Sequence, residues 1–337
     1  MKKFVLRLLL LFSPLLFLFG AFLFFDPFAM YGPPSSFTIA ESMNDDAQTF
    51  RTFDTYNDSL QYNAFILGNS KTLAILSTDW KKQIGYDTRV FKFGSPGESI
   101  LNIRKKLEYA ILKGNDIDHV LLLLDNKILK NTDNTNQEFT GPVYLKGHKS
   151  SYHNKLDYLG TGFYYYLYDG YFRKQLNYLK RSNHTASMQT SPNWDLIENV
   201  MRREEFELLY RSNEFFRWDT EQQILKDSAA WVQSLPKMNG EAKNYNQVLD
   251  QRDIAHLKAI KDIFIKYQTK YKIVFGPEYN CVKLDGKVKE EFIVIFGYLN
   301  VFDFSSDTAY CNNPYNYYEP NHYRPIVGKK MLERIYE

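Results

Sequence analysis

The sequence predicts an α/β fold: a three-layer, doubly wound and mainly parallel sheet. Two observations support this prediction. Short apolar strands alternate with amphipathic helices near both ends of the chain, which is typical of βαβ units. The run at residues 119–124 is continuously apolar, as expected for a parallel strand that is covered on both faces. With 337 residues, the chain is long enough to bury such a core.

The first part of the predicted frame precedes residue 130. Residues 64–67 are predicted as a short apolar strand and residues 89–93 as a second strand, and each stops at a glycine. Residues 119–124 form the third strand. Residues 99–112 carry apolar side chains at helical spacing and end in Lys113-Gly114, a pair that commonly terminates a helix.

The same alternation returns in the last third of the chain. Residues 253–268 are predicted as an amphipathic helix, residues 272–275 as a strand that ends at Gly276, and residues 326–336 as a closing helix. Residues 301–304 are a further strand candidate. Residues 292–296 either form a strand or end a helix.

The N-terminus predicts export. Lys2, Lys3 and Arg7 precede an apolar run that continues to Phe25, and about 20 apolar residues can span a membrane as a helix. A cleaved signal peptide is the alternative, but its apolar region should be shorter and end in a small-residue cleavage site. We therefore favour an uncleaved anchor at residues 1–25, with a cytoplasmic N-terminus and everything after it outside. Residues 26–60 are interpreted as a stalk or approach segment.

Charge and cysteine usage restrict the partners. The formal net charge is only +3 and the basic residues are scattered, which argues against nucleic acid. No zinc-type Cys/His spacing is found in the sequence. Cys281 and Cys311 both fall in the exported part, where they either form one disulfide or stay unpaired.

A segment of different composition, at about residues 130–251, separates the two α/β parts. It contains the aromatic run at residues 163–168 and further tryptophans. We interpret it as a helical insertion that packs its aromatic side chains onto the core. The alternative is a lid or a saccharide-binding wall beside the active site.

Two residues carry the predicted chemistry. Ser70 directly follows the first strand in Gly68-Asn69-Ser70, and the carboxyl ends of the strands are where an open α/β sheet places reactive groups. A serine is a weak nucleophile until a base takes its proton. His322 is the histidine that lies in a loop before the terminal helix with an acid, Glu319, three residues before it.

This order of motifs resembles the SGNH (GDSL-like) hydrolase superfamily, whose fold is similar to that of flavodoxin. The matching positions of the four blocks are, in chain order, Ser70, Gly97, Asn126 and His322. Three positions depart from the pattern. Asn69 stands for the usual Asp before the serine, and Glu319 stands for the usual Asp before the histidine. Asn126 lies in Asp125-Asn126-Lys127 where the family has Gly-x-Asn-Asp. The resemblance covers the α/β frame and leaves out the insertion.

The resemblance implies a serine esterase or O-acyltransferase. Ser70 would be the nucleophile, His322 its base and Glu319 the residue that orients the ring, although a Ser-His dyad without Glu319 stays open. The oxyanion would be held by the backbone N–H groups of Ser70 and Gly97 and by the Asn126 side chain. For Asn126, a helix cap or turn residue is the alternative. The resemblance implies no cofactor and no metal.

Exported SGNH-like proteins on one N-terminal anchor resemble those that decorate bacterial exopolysaccharide or cell wall. We therefore expect a protein of the bacterial cytoplasmic membrane that acts on an acylated surface glycan, with polysaccharide assembly proteins as possible partners. A plain exported esterase is one alternative, and a catalytically inactive SGNH-like scaffold is another. A metal-dependent hydrolase built from Asp125, Asp303, Asp307 and His322 is disfavoured because these residues have no recognised ligand spacing.

Overall fold

The structure is a computed structural model. It describes residues 2–26, 45–94, 98–125, 128–129, 159–160, 162–164, 166–167 and 249–337. These residues fall into two compact units. The first lies within Met1–Arg51 and Glu138–Asn199, and the second within Thr52–Gln137 and Val200–Glu337.

The first unit contains helix α1 (Lys2–Phe25), which covers the predicted apolar segment. Its Phe19 and Phe22 pack their rings against Phe163, with ring centroids 5.0 and 5.7 Å apart, and Phe22 also contacts Tyr166 at 5.5 Å. Among the helices that the structure describes, none is both long enough and apolar enough to cross a membrane. The membrane anchor stays a prediction, and most of the predicted insertion, including residues 130–158 and 168–248, lies outside the described residues.

The second unit is built on a five-stranded sheet in which every pairing is parallel, as predicted. Its strands are β1 (Ala64–Gly68), β2 (Val90–Gly94), β3 (His119–Leu124), β4 (Lys270–Phe275) and β5 (Val301–Asp303). Their order in the sheet is β2-β1-β3-β4-β5. The chain thus moves from β1 to one side and then returns to place β3 on the other side of β1. The loops that follow β1 and β3 diverge from this point, which is where open α/β sheets form their binding crevice.

Six further helices are described: α2 (Asp45–Leu60), α3 (Ser77–Ile84), α4 (Ile100–Leu112), α5 (Gln251–Lys266), α6 (Gly286–Phe296) and α7 (Pro325–Tyr336). Short 3-10 helices occupy Ser70–Ala74, Tyr298–Asn300 and Pro314–Asn316. Residues 292–296 end α6, so the helical alternative for them is correct. Residues 45–60, which we expected in the approach segment, form α2.

Helices cover both faces of the sheet. On one face, the apolar side chains of β1 and β3 lie in a buried cluster with Trp80 of α3 and with Val327 and Met331 of α7. On the other face, Phe53 of α2 packs against the aromatic side chains of β2, and Phe292 of α6 contacts the last residue of β4. A strand between two such layers has no polar face, which explains its continuous apolar run.

A small antiparallel hairpin connects the sheet to the last helix. Its strands β6 (Tyr317–Glu319) and β7 (His322–Tyr323) are joined by a turn at Pro320-Asn321. A disulfide between Cys281 and Cys311, whose Cα atoms are 5.3 Å apart, links the segment after β4 to the segment that leads into this hairpin. Of the two alternatives for these cysteines, the structure has the bonded pair.

Candidate active site

Ser70 lies where β1 ends, at the point of the sheet where the strand order reverses. The strand stops at Gly68, which has a φ of +147°. A Cβ at this position would lie 2.2 Å from the carbonyl oxygen of Leu123 on β3, so only glycine lets the two strands approach here. Asn69 then caps the 3-10 helix that begins at Ser70, because its Oδ1 accepts the N–H of Lys71 at 3.0 Å. This turn presents Ser70 at the carboxyl edge of the sheet.

His322 is carried by the β6–β7 hairpin, where it pairs with Glu319 across the two-residue turn. Its neighbour Tyr323 is buried and lies against Gly276, where a Cβ would come within 2.8 Å of the tyrosine hydroxyl. The carbonyl of Pro320 in the turn accepts the N–H of Tyr279 at 3.1 Å. The hairpin is therefore fixed to the segment that follows β4.

Helix α7 holds the hairpin side of the site against the serine side. It starts two residues after the hairpin, and its Gly328 lies against the 3-10 helix that contains Ser70. A Cβ at Gly328 would lie 2.0 Å from the carbonyl oxygen of Ala74. This close approach requires glycine.

The structure brings the two predicted residues together. Ser70 Oγ lies 2.7 Å from His322 Nε2, although the residues are 252 positions apart in the chain. Both residues are half-buried, so neither is sealed off from solvent. When the ring is neutral with its proton on Nδ1, Nε2 accepts the hydroxyl proton, which is the arrangement that activates a serine.

A buried ion network lies beside the serine. Lys71 Nζ is 3.0 Å from Asp125 Oδ2 and 3.1 Å from Glu278 Oε1. The side chains of Lys71, Asp125 and Glu278 are 3%, 1% and 12% exposed. Asn69 Nδ2 donates to the same Asp125 oxygen at 2.7 Å, and the Ile128 N–H donates to the other one at 2.9 Å.

The pKa values of Asp125 and Lys71 are both displaced toward the charged form. Burial by itself would raise the pKa of Asp125, but the Lys71 charge and the hydrogen bonds from Ile128 and Asn69 outweigh burial and hold it below its ordinary value. Burial would likewise lower the pKa of Lys71, yet the charges of Asp125 and Glu278 raise it. Each ion is thus stabilised by its partners.

Sequence reasoning missed this network. The sequence pattern identifies Asn69 only as a departure from the motif and Asp125 only as a metal candidate, and it singles out neither Lys71 nor Glu278. A signal does exist, because charged residues follow the ends of β1, β3 and β4 within three positions. Those three strands are adjacent in the sheet, so their loops meet.

Three predicted site residues are described in part or not at all. Gly97 and Asn126 lie outside the described residues, and for Glu319 the structure describes the backbone in β6 and not the side chain.

Two acids of the metal hypothesis have other partners: Asp303 pairs with Lys289 at 3.0 Å, and Asp307 pairs with Arg334. In the described part of the chain, no three His, Cys, Asp or Glu residues form a cluster that could hold a metal ion.

The fold and the site define a class in structural terms: a parallel α/β protein with a serine–histidine pair at the reversal point of its sheet. Comparison with known proteins adds no relative, since no protein-family model matches the chain and no curated protein matches it either.

Proposed function

We propose that the chain is a serine esterase or O-acyltransferase of the SGNH type, with Ser70 as nucleophile and His322 as base. The observation that carries this proposal is the 2.7 Å contact between Ser70 Oγ and His322 Nε2. Two polar residues so far apart in sequence meet only because the first strand and the last helix converge on one edge of the sheet.

The mechanism follows from this contact. His322 Nε2 takes the hydroxyl proton as Ser70 Oγ attacks an ester carbonyl, and a tetrahedral oxyanion forms. When the intermediate collapses, the ester C–O bond breaks and His322 returns the proton to the leaving alcohol. The acyl group stays on Ser70. Water then hydrolyses it, or a sugar hydroxyl accepts it, with His322 again as the base.

Several features support the SGNH type over other serine enzymes. The strand order is the flavodoxin-like order, with the nucleophile at its switch point. Glu319 on β6 pairs with His322 on β7 in one hairpin. The acid and the base thus lie on neighbouring strands, and Glu319 would orient the histidine ring. The backbone N–H of Ser70, with Gly97 and Asn126, would hold the oxyanion, and loss of one such donor typically costs on the order of 100-fold in rate.

We also propose that the site acts outside the cytoplasm, on an acylated cell-surface glycan of a bacterium. The basic residues before an apolar N-terminal helix support an anchor in the cytoplasmic membrane. The Cys281–Cys311 disulfide supports export, because disulfides persist in oxidising compartments. Polysaccharide assembly proteins would be its neighbours there.

The test is labelling of the full chain, purified in detergent, with a fluorophosphonate probe. Ser70 should form a bond to phosphorus with loss of fluoride. Ser70→Ala should abolish labelling, whereas Ser59→Ala should leave it unchanged because Ser59 is exposed on α2 and donates to the carbonyl of Tyr56 in the same helix. Labelling should also survive EDTA, which is not expected of a metal-dependent hydrolase. A folded protein that is not labelled would instead favour the inactive scaffold.

A second experiment separates hydrolysis from transfer. Release of the alcohol from a chromogenic acetate ester is followed with and without a deacetylated oligosaccharide. An esterase releases free acetate in both cases. A transferase releases the alcohol faster when the acceptor is present and forms an acetylated oligosaccharide, which mass spectrometry detects.

A further inference from the structure

The residues on either side of Ser70 share one partner. Asn69, directly before the serine, donates its Nδ2–H to Asp125 Oδ2 at 2.7 Å. Lys71, directly after the serine, places its Nζ 3.0 Å from the same oxygen. The second oxygen of Asp125 accepts the Ile128 N–H at 2.9 Å. One carboxylate therefore holds the serine turn from both sides and also fixes the turn that follows β3.

We propose that Asp125 is a positioning residue, which orients Ser70 through Asn69 and Lys71 without touching the substrate. The proposal rests on the proposed function, because it gives Asp125 a role in placing the nucleophile of that reaction. Its side chain is 1% exposed, so both hydrogen bonds lie in a low-dielectric interior where they are strong and directional.

The same network continues to the base. Lys71 also binds Glu278 at 3.1 Å, and the next residue, Tyr279, donates its N–H to the carbonyl of Pro320 in the His322 hairpin. Polar contacts thus run from the serine turn through Asp125 and Lys71 to Glu278, and the chain itself links Glu278 to Tyr279, which bonds the loop that carries His322. The network fixes both partners of the 2.7 Å contact relative to β3 and β4.

A purely stabilising role explains these contacts less well. A buried ion pair often contributes no more stability than apolar side chains of the same size would, because its charges must leave water. In some proteins such a pair instead fixes a unique arrangement of the groups that it binds. Here the groups are the two neighbours of the nucleophile, in a reaction where a misplacement of about 1 Å can cost on the order of 100-fold in rate.

Asp125→Asn is the first test variant. The asparagine can accept from Asn69 only by turning its NH2 group toward the Ile128 N–H, so one of the two contacts is lost, while Lys71 keeps Glu278 as its counter-ion. The second variant is the swap Asn69→Asp with Asp125→Asn. The swap exchanges the donor and the acceptor and conserves the charge, so it restores the hydrogen bond between the two positions. Lys71 loses the oxygen at position 125 in this variant and keeps Glu278.

The control is Asn115→Ala. The Asn115 side chain is buried at the opposite end of the sheet, where its Nδ2 donates to Asn57 Oδ1 at 2.6 Å and to the carbonyl of Tyr62 at 2.8 Å. The substitution removes buried hydrogen bonds from the same domain without touching the serine turn. It reports how far lost stability alone affects labelling.

The measurement is the kinetics of fluorophosphonate labelling on the full chain, well below each variant's melting temperature. Saturation curves give the maximal labelling rate constant and, separately, the half-saturating probe concentration. We expect Asp125→Asn to lower the rate constant by roughly 10- to 100-fold without changing the half-saturating concentration. We expect the swap to recover part of the loss and Asn115→Ala to keep the wild-type rate constant.

Three results would overturn the proposal. One is a wild-type rate constant in folded Asp125→Asn, and another is a loss in Asn115→Ala as large as that in Asp125→Asn. The third applies even when Asp125→Asn fails to fold: a folded swap variant that is labelled more than about 100-fold more slowly than the wild type. All three leave the proposed function intact, because the wild type is still labelled at Ser70. An unlabelled wild type would overturn the proposed function itself and, with it, the role of Asp125.

Discussion

Gly328→Ala is a single-methyl test of how the two halves of the site are held together. Gly328 lies in α7, directly after the His322 hairpin, and packs on the 3-10 helix that begins at Ser70. The new Cβ would lie 2.0 Å from the carbonyl oxygen of Ala74 and 2.8 Å from its carbonyl carbon, whereas real Cβ contacts stay above 3.0 Å. Because the obstacle is backbone, α7 and the 3-10 helix must separate by about 1 Å.

This displacement should affect stability and activity differently. Overpacking of a core contact typically costs about 1–3 kcal/mol, which leaves a protein of this size folded. Separation of Ser70 from His322 by a comparable distance should slow fluorophosphonate labelling by about 100-fold. Denaturant unfolding and labelling kinetics, measured on the same preparation, give the two quantities.

The matched control is Gly286→Ala. Gly286 is also a helical glycine, in the first turn of α6, but a Cβ there meets nothing within 4 Å. Alanine in a helix is favoured over glycine by about 0.5–1 kcal/mol, so the control should be as stable as the wild type or slightly more stable, and it should be labelled at the wild-type rate. A Gly328→Ala protein with wild-type stability and a wild-type labelling rate would refute the close packing of α7 on the serine turn.

Three further predictions concern the same unit. Gly68→Ala should prevent soluble expression or lower the free energy of unfolding by more than about 3 kcal/mol. The reason is that Gly68 combines a positive φ with a position where a Cβ would lie 2.2 Å from the Leu123 carbonyl oxygen. A folded variant with the stability of the wild type would contradict this strand contact. The double variant Cys281→Ser, Cys311→Ser should lose about 3–4 kcal/mol in denaturant unfolding, as expected for a disulfide that closes a loop of 30 residues, and reduction of the wild type with dithiothreitol should have the same effect. The folded pKa of Asp125 lies below its ordinary 3.8, so its ionic contribution to stability is complete above about pH 4 and is lost as the pH falls through the folded pKa. The difference in unfolding free energy between wild type and Asp125→Asn should therefore be constant from neutral pH to about 4 and shrink below it. A difference that grows on acidification would exclude the buried ion pair.

The elements of the sheet could be predicted because each has a local signature. The strand at 119–124 and the helix at 99–112 differ in hydrophobic period, and this period depends only on neighbours in the chain. Helix α3 escaped prediction because only Ser77 and Trp80 are buried in its eight residues, too few to establish a period. Helix α2 escaped because its polar sequence suggested an approach segment, although Phe53 anchors it on the sheet.

In the candidate site, too, some residues have a local sequence signature and others do not. Ser70 and His322 could be proposed from their places after the first strand and before the last helix. The ion network could not, because the contact of Lys71 with Asp125 and Glu278 depends on β1, β3 and β4 being neighbours. Strand order comes from the packing of the whole sheet, and no local pattern records it.

The most direct test of the Ser70–His322 assignment is capture of the acyl-enzyme. The full chain in detergent is mixed with a chromogenic acetate ester, quenched in acid and digested, and the peptides are sequenced by mass spectrometry. An acetyl group should be found on Ser70 in the wild type, be absent in Ser70→Ala and accumulate far more slowly in His322→Gln, because a glutamine cannot take the serine proton. Alcohol release by wild-type protein with no acetyl group on Ser70, or the same acetylation of Ser70 in His322→Gln, would contradict the assignment.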